Sequence, residues 1–157
     1  STARALTALT FKEKFMPLNN FGSILTFAEE LERLGMAFYE GAADNPACAT
    51  WAESFQQFAK DGRKQIQTIQ RTRRENVTEM ILEQIRDFYR APYVKTYADP
   101  AGRPLDAVLA DARQIEETAE AFYRAAMEKI KALPEVARAL KLIGKKHTAH
   151  RQTLASR

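Results

Sequence analysis

Both histidines of the chain, His147 and His150, stand in the stretch GKKHTAH at residues 144–150. Three residues apart on a helix of about 3.6 residues per turn, two imidazoles share one face. A helix presents two nitrogen ligands to a metal ion in this way. Lys145 and Lys146 are poor neighbours for a cation, so the remnant of a metal site and two surface histidines on a basic helix are competing readings. Two carboxylates extend the pattern. Glu32 lies a turn from Ala28 and from Gly35, and Glu116 a turn from Ala112 and from Ala119. Seven residues after each comes a tyrosine on the same stripe, Tyr39 or Tyr123. This spacing places one carboxylate on the buried face of each of two helices. Such a group has to meet a cation, a metal, a proton or hydrogen-bond donors, because burying it unpaired is strongly unfavourable. One answer needs no metal: each glutamate accepts a hydrogen bond from a tyrosine or histidine across the fold.

The two glutamates occupy equivalent places in a repeated sequence. LERLGMAFYEGAA (31–43) matches IEETAEAFYRAAM (115–127) at an offset of 84 (115 − 31), pairing Glu32 with Glu116, Phe38 with Phe122 and Tyr39 with Tyr123. A second pair of segments aligns at an offset of 85 (140 − 55), which sets Phe55 against Leu140, Gly62 against His147 and Gln65 against His150. Self-similarity at a fixed spacing predicts two related helical hairpins. In that register Lys145 and Lys146 turn off the face that the histidines share.

The elements that must position these residues follow from helical periodicity and its breaks. Ser23 is a plausible N-cap for a helix to Ala43, through Ile24, Phe27, Leu31, Phe38 and Tyr39, and ADNPA (43–47) ends it. A second helix begins near Thr50 and reaches RTRR (71–74), and VTEMILEQIRDFY (77–89) reads as a shorter one. Residues 90–104 hold three of the six prolines and form a connection. A third helix covers Leu105–Ala132, and Pro134 opens a fourth that lasts nearly to the end. No strand-like alternation occurs. The fold class is all-α: a four-helix bundle with an extra short helix in the crossover. Residues 1–22 read as an arm packing on the body or on a neighbouring subunit, and 23–156 as one domain, in keeping with 157 residues.

Composition narrows the function. Hydrophobic residues make up 45% and charged residues 28%, a globular balance, and the net charge of +4 is spread along the chain. No apolar run is long enough to span a membrane or to form a signal-peptide core. Cys48 is the one cysteine, which excludes a CxxC motif and a disulfide within the chain and favours a cytoplasmic setting. The basic stretch RKQIQTIQRTRR (63–74) lacks interleaved aromatics and complements the negative end of its helix, so it does not argue for nucleic acid. FYRAPYVKTYADP (88–100) gathers aromatic rings for packing or a subunit contact.

The paired motifs LERLGMAFY and IEETAEAFY, with HTAH on the last helix, make residues 21–156 resemble the rubrerythrin-like branch of the ferritin-like superfamily. The resemblance implies a ferritin-like four-helix bundle in which helices one and three each give a glutamate and helices two and four each give Glu-x-x-His, together holding two metal ions. Glu32 and Glu116 match the two glutamates. On helix four His147 stands where the motif has glutamate, and His150 keeps the histidine place. On helix two Gly62 and Gln65 replace both ligands. Asp61 is the nearest acid, and the ~100° rotation per residue is expected to turn it off the core face. What remains is an altered centre of Glu116, His147 and His150, with Glu32 across the bundle, suited to a single Fe, Mn or Zn ion; Tyr39, Tyr123 and Gln65 are expected around it. No haem or nucleotide is implied. If the protein is an enzyme, the resemblance implies oxidoreductase chemistry with iron, O₂ or peroxide. It also implies a homodimer, and an external electron donor because the rubredoxin module of full rubrerythrins is missing. Two alternatives stand beside it. One is a degenerate, metal-free bundle serving as a structural or interaction module. The other is a small organic ligand in the volume that Gly62 leaves open.

Overall fold

The computed structural model describes residues 16–82 and 84–156, without the side chains of 78–82. Four α-helices follow in order: α1 (Phe21–Ala43), α2 (Ala52–Leu82), α3 (Leu105–Ile130) and α4 (Pro134–Ala155). Short 3₁₀ turns occupy Pro46–Trp51 and Ala91–Tyr93. Among the described residues there is no strand, only an isolated bridge between Pro17 and Tyr89. Among the described residues the protein is all-helical with four α-helices, α1 packing chiefly on α2 and α3 chiefly on α4.

Local chemistry explains the boundaries. The side chain of Asn20, not Ser23, caps α1 by accepting the Ser23 N–H at 2.7 Å, and Ser23 Oγ accepts the Asn20 N–H in return. This reciprocal box satisfies two donors that a helix start leaves open. The helix therefore begins two residues earlier than Ser23, with Phe21 already in the core. Of the arm expected over 1–22, residues 1–15 lie outside the described residues. Its end runs beside the crossover, with Leu18 N–H donating to the Phe88 carbonyl and Ile85 N–H to that of Asn19.

Those two bonds bear on a correction. The helix expected over 77–89 is shorter than that and joined to α2: a kink at Asn76 (φ −126°, ψ 15°) marks its start, it runs only as far as Leu82, and residues 84–89 are not helical. Asn76 Nδ2 donates to the Thr72 carbonyl, the acceptor that a straight helix would use for the Asn76 N–H. Beyond Leu82, Ile85 and Phe88 spend backbone groups on Asn19 and Leu18, so no helical ladder closes there.

Buried side chains form two apolar clusters, one around Phe21, Phe27, Phe122 and Leu140, the other around Phe38, Trp51, Phe55 and Phe58. Each large apolar side chain fully buried contributes roughly 1.5–3 kcal/mol. Between the clusters every helix places polar residues inward: Glu32 on α1, Asp61 and Gln65 on α2, Glu116 on α3, His147 and His150 on α4. The groove between α1 and α3 is closed by the crossover, where Tyr93 packs on Phe122 at 5.5 Å and Tyr97 on Phe38 at 6.2 Å between ring centres.

Candidate metal centre

The polar layer is a network with a crosswise symmetry that follows the repeat. Tyr123 Oη donates to Glu32 Oε2 at 2.6 Å, and Tyr39 Oη donates to Glu116 Oε2 at 2.5 Å. Each hairpin thus supplies the donor for the other's carboxylate. Gln65 Nε2 donates to Glu32 Oε1 at 2.9 Å. In the equivalent place of the second hairpin, His150 Nδ1 lies 3.3 Å from Glu116 Oε1.

His147 bisects this arrangement. Its Nδ1 is 2.6 Å from Glu116 Oε1 and its Nε2 is 2.7 Å from Glu32 Oε2. Two carboxylates that already accept tyrosine hydrogen bonds leave both ring nitrogens to act as donors, so His147 is an imidazolium here. Burial opposes that charge, but the attraction of Glu32 and Glu116 outweighs it and raises the imidazole well above its usual 6.5. Burial likewise opposes ionisation of Glu116, and His147 with His150 overcomes it, holding the carboxyl down at about 2. Burial, followed by the charge of the carboxylate each one faces, raises Tyr39 and Tyr123 well above 10, so both remain donors.

His150 is built differently. Nε2 lies 2.8 Å from Asp61 Oδ2, and Asp61 Oδ1 accepts from Gln57 Nε2 at 2.9 Å. A neutral ring with its proton directed at this carboxylate would leave the Nδ1 lone pair for a metal ion. Nδ1 is buried and has no hydrogen-bond partner. It faces Glu116 Oε1, and the pair is favourable only when a proton or a metal ion joins the two. Phe58 stacks on the His150 ring at 4.0 Å and Tyr123 on that of His147 at 5.5 Å, which fixes both ring planes.

Donor atoms of Glu116, His147 and His150 lie within 4.8 Å of one another, a buried group that could hold a metal ion. One carboxylate and two imidazoles suit Zn²⁺, Fe²⁺ or Mn²⁺. Donors on a tetrahedral ion with bonds of about 2.0–2.1 Å stand about 3.3 Å apart. The His150–Glu116 pair already has that spacing, whereas the His147–Glu116 pair is at hydrogen-bond distance and must widen.

All seven residues singled out in the sequence (Glu32, Glu116, His147, His150, Tyr39, Tyr123 and Gln65) meet in this layer. Glu32 belongs to the far side of His147, outside the three-residue group. Asp61 is the residue that helical geometry misjudged: it is 6% exposed and holds His150. At Gly62 a Cβ would lie 3.4 Å from Met36 Cβ and 3.7 Å from the Glu32 carbonyl oxygen. Gly62 therefore faces α1 at a close helix crossing, and the ~100° step to its neighbour turns Asp61 toward α4. α1 takes up the space that a Gly62 side chain would need, and Gly62 lines only the edge of a small cavity. The cavity beside the centre measures about 30 Å³, room for about two water-sized groups and too little for an organic metabolite.

No helix among the described residues is long and apolar enough to cross a membrane. Comparison with protein-family models, curated proteins and solved structures found no match to this chain.

Proposed function

We propose that the protein is a rubrerythrin-like, ferritin-like bundle whose altered centre holds one divalent transition-metal ion on Glu116, His147 and His150. The observation that carries this reading is the buried Nδ1 of His150, without a hydrogen-bond partner and opposite Glu116 Oε1, with the Asp61 carboxylate holding the other ring nitrogen. An iron or manganese ion bound there would supply redox chemistry with O₂ or peroxide, and a separate donor would provide electrons. The chain's own residues have distinct tasks. Glu116 contributes negative charge, and Tyr39 orients it. Asp61 keeps His150 in the ligating tautomer. His147 gives up the Nδ1 proton to bind and keeps Nε2–H on Glu32, whose charge Tyr123 and Gln65 hold in place. The apolar clusters above and below exclude bulk water.

His147 favours a second reading. As an imidazolium it bridges both carboxylates and offsets one of their two charges without any metal, as a polar layer in a structural or interaction module would require. One experiment separates the two. Chain purified without chelators and offered Fe²⁺, Mn²⁺ or Zn²⁺ should retain one ion, and His150→Ala should retain none. Unchanged occupancy in that variant would remove the ligand assignment, and an ion-free wild type would favour the metal-free module.

A further inference from the structure

The crossover does more than close the groove. Tyr93, Lys95 and Tyr97 reach over it and, with Glu116, His147 and His150, line the cavity of about 30 Å³. A space of that size admits a ligand of two or three heavy atoms. Tyr97 is a polar residue of this wall. It is 8% exposed, and its hydroxyl is buried with no acceptor for its proton. Edge-to-face packing on Phe38 holds the ring. Burial pushes the hydroxyl up to about 12; a hydrogen bond from the Thr118 side chain to its oxygen only partly offsets this, and the charges of Asp111, Glu116 and Glu117 add to it. The group keeps its proton and can donate. A fold that needed only an aromatic here would be served better by phenylalanine, because an unpaired buried hydroxyl is unfavourable. Exposed Lys95 stands at the rim, so the approach carries positive charge.

We propose that the Tyr97 hydroxyl is the recognition donor for a small anion of two or three heavy atoms, taken up in the cavity beside the ion. Lys95 draws the anion to the mouth, Tyr97 donates to it, and the narrow walls exclude larger ligands. Packing or a subunit contact was the role expected of the 88–100 aromatics. Packing accounts for Phe88 and Tyr93, which pack on Phe122, and leaves the proton of the Tyr97 hydroxyl without an acceptor. The inference rests on the single-ion reading.

The test uses the full chain loaded with Co²⁺ and titrated with azide, followed by the visible absorption of cobalt. Wild type should bind azide saturably. Tyr97→Phe should retain one cobalt, melt no lower than wild type, and bind azide about tenfold or more weakly, as expected for a lost hydrogen bond to a charged ligand. Lys95→Gln should weaken azide at low salt and lose that effect at high salt. Equal azide affinity in wild type and Tyr97→Phe would overturn the proposal, as would a cobalt-loaded wild type that does not respond to azide. A Tyr97→Phe variant that melts lower and loses cobalt would also overturn it, by giving the hydroxyl a structural task. A wild type that takes up no cobalt would instead refute the single-ion reading, and the anion site with it.

Discussion

Replacing Asp61 by alanine isolates the feature that distinguishes a ligand site from a polar layer. Asp61 Oδ2 lies 2.8 Å from His150 Nε2, and both side chains are about nine-tenths buried or more. Without the carboxylate, the Nε2–H loses its acceptor in an apolar setting, which costs about 1–3 kcal/mol of folding stability. The ring also loses the group that fixes its tautomer. Its proton then moves to Nδ1, where it can be offered to Glu116 Oε1 across the existing 3.3 Å. In that state Nδ1 is no longer a ligand, and metal affinity should fall about 10- to 100-fold, or about 1.4–2.7 kcal/mol. Asp61→Asn should lose less, because its amide oxygen can still accept from His150 once Gln57 turns its own amide to accept from the new NH₂. Urea unfolding of the metal-free proteins reads the first cost, and competition with a chromophoric chelator reads the second. Metal affinity within twofold of wild type in Asp61→Ala would refute the tautomer reasoning.

His147→Ala removes the charge that stands between Glu32 and Glu116, and should destabilise the metal-free protein by about 3–5 kcal/mol at neutral pH. The loss should shrink in acid as a carboxylate takes up a proton, and urea melts at several pH values check this. In the wild type, the stability from the raised His147 pKa is fully present below about 6.5 and lost as pH climbs through the folded value. That from the lowered Glu116 pKa is fully present above about 4.5 and lost as pH falls toward about 2. Metal-free protein should therefore be most stable between those limits, and a maximum above pH 8 would contradict the imidazolium assignment. Metal affinity should instead rise roughly tenfold per pH unit where the ion must displace the His147 proton, as chelator competition at pH 6, 7 and 8 would show. Tyr39→Phe and Tyr123→Phe each remove one donor from a buried carboxylate and should cost similar amounts, about 1.5–3 kcal/mol. A silent variant at either position in chemical denaturation would break the crosswise symmetry.

Much of this was legible in the residues because helices write their buried face at a fixed period. Glu32 and Glu116 stood on apolar stripes, the duplication marked them as a pair, and Tyr39 and Tyr123 lay on the same stripes. His147 and His150 shared a face in the same way. What one helix's own period does not encode is its rotation against its neighbours. Asp61 was lost for that reason: the close approach at Gly62 decides which side of α2 meets α4. The helix expected over 77–89 stops at Leu82 because of a long-range contact, since the backbone at 85 and 88 pairs with residues 19 and 18. Tyr97 was indistinct because the path of an irregular crossover, and so what its side chains cover, is set by the groove it crosses.

The most direct measurement is the metal content of chain purified without chelators, joined to anomalous scattering from its crystals. A single ion per chain, with its anomalous peak among Glu116, His147 and His150, is the predicted result. Two ions per chain, or none after incubation with Fe²⁺, Mn²⁺ and Zn²⁺, would contradict it.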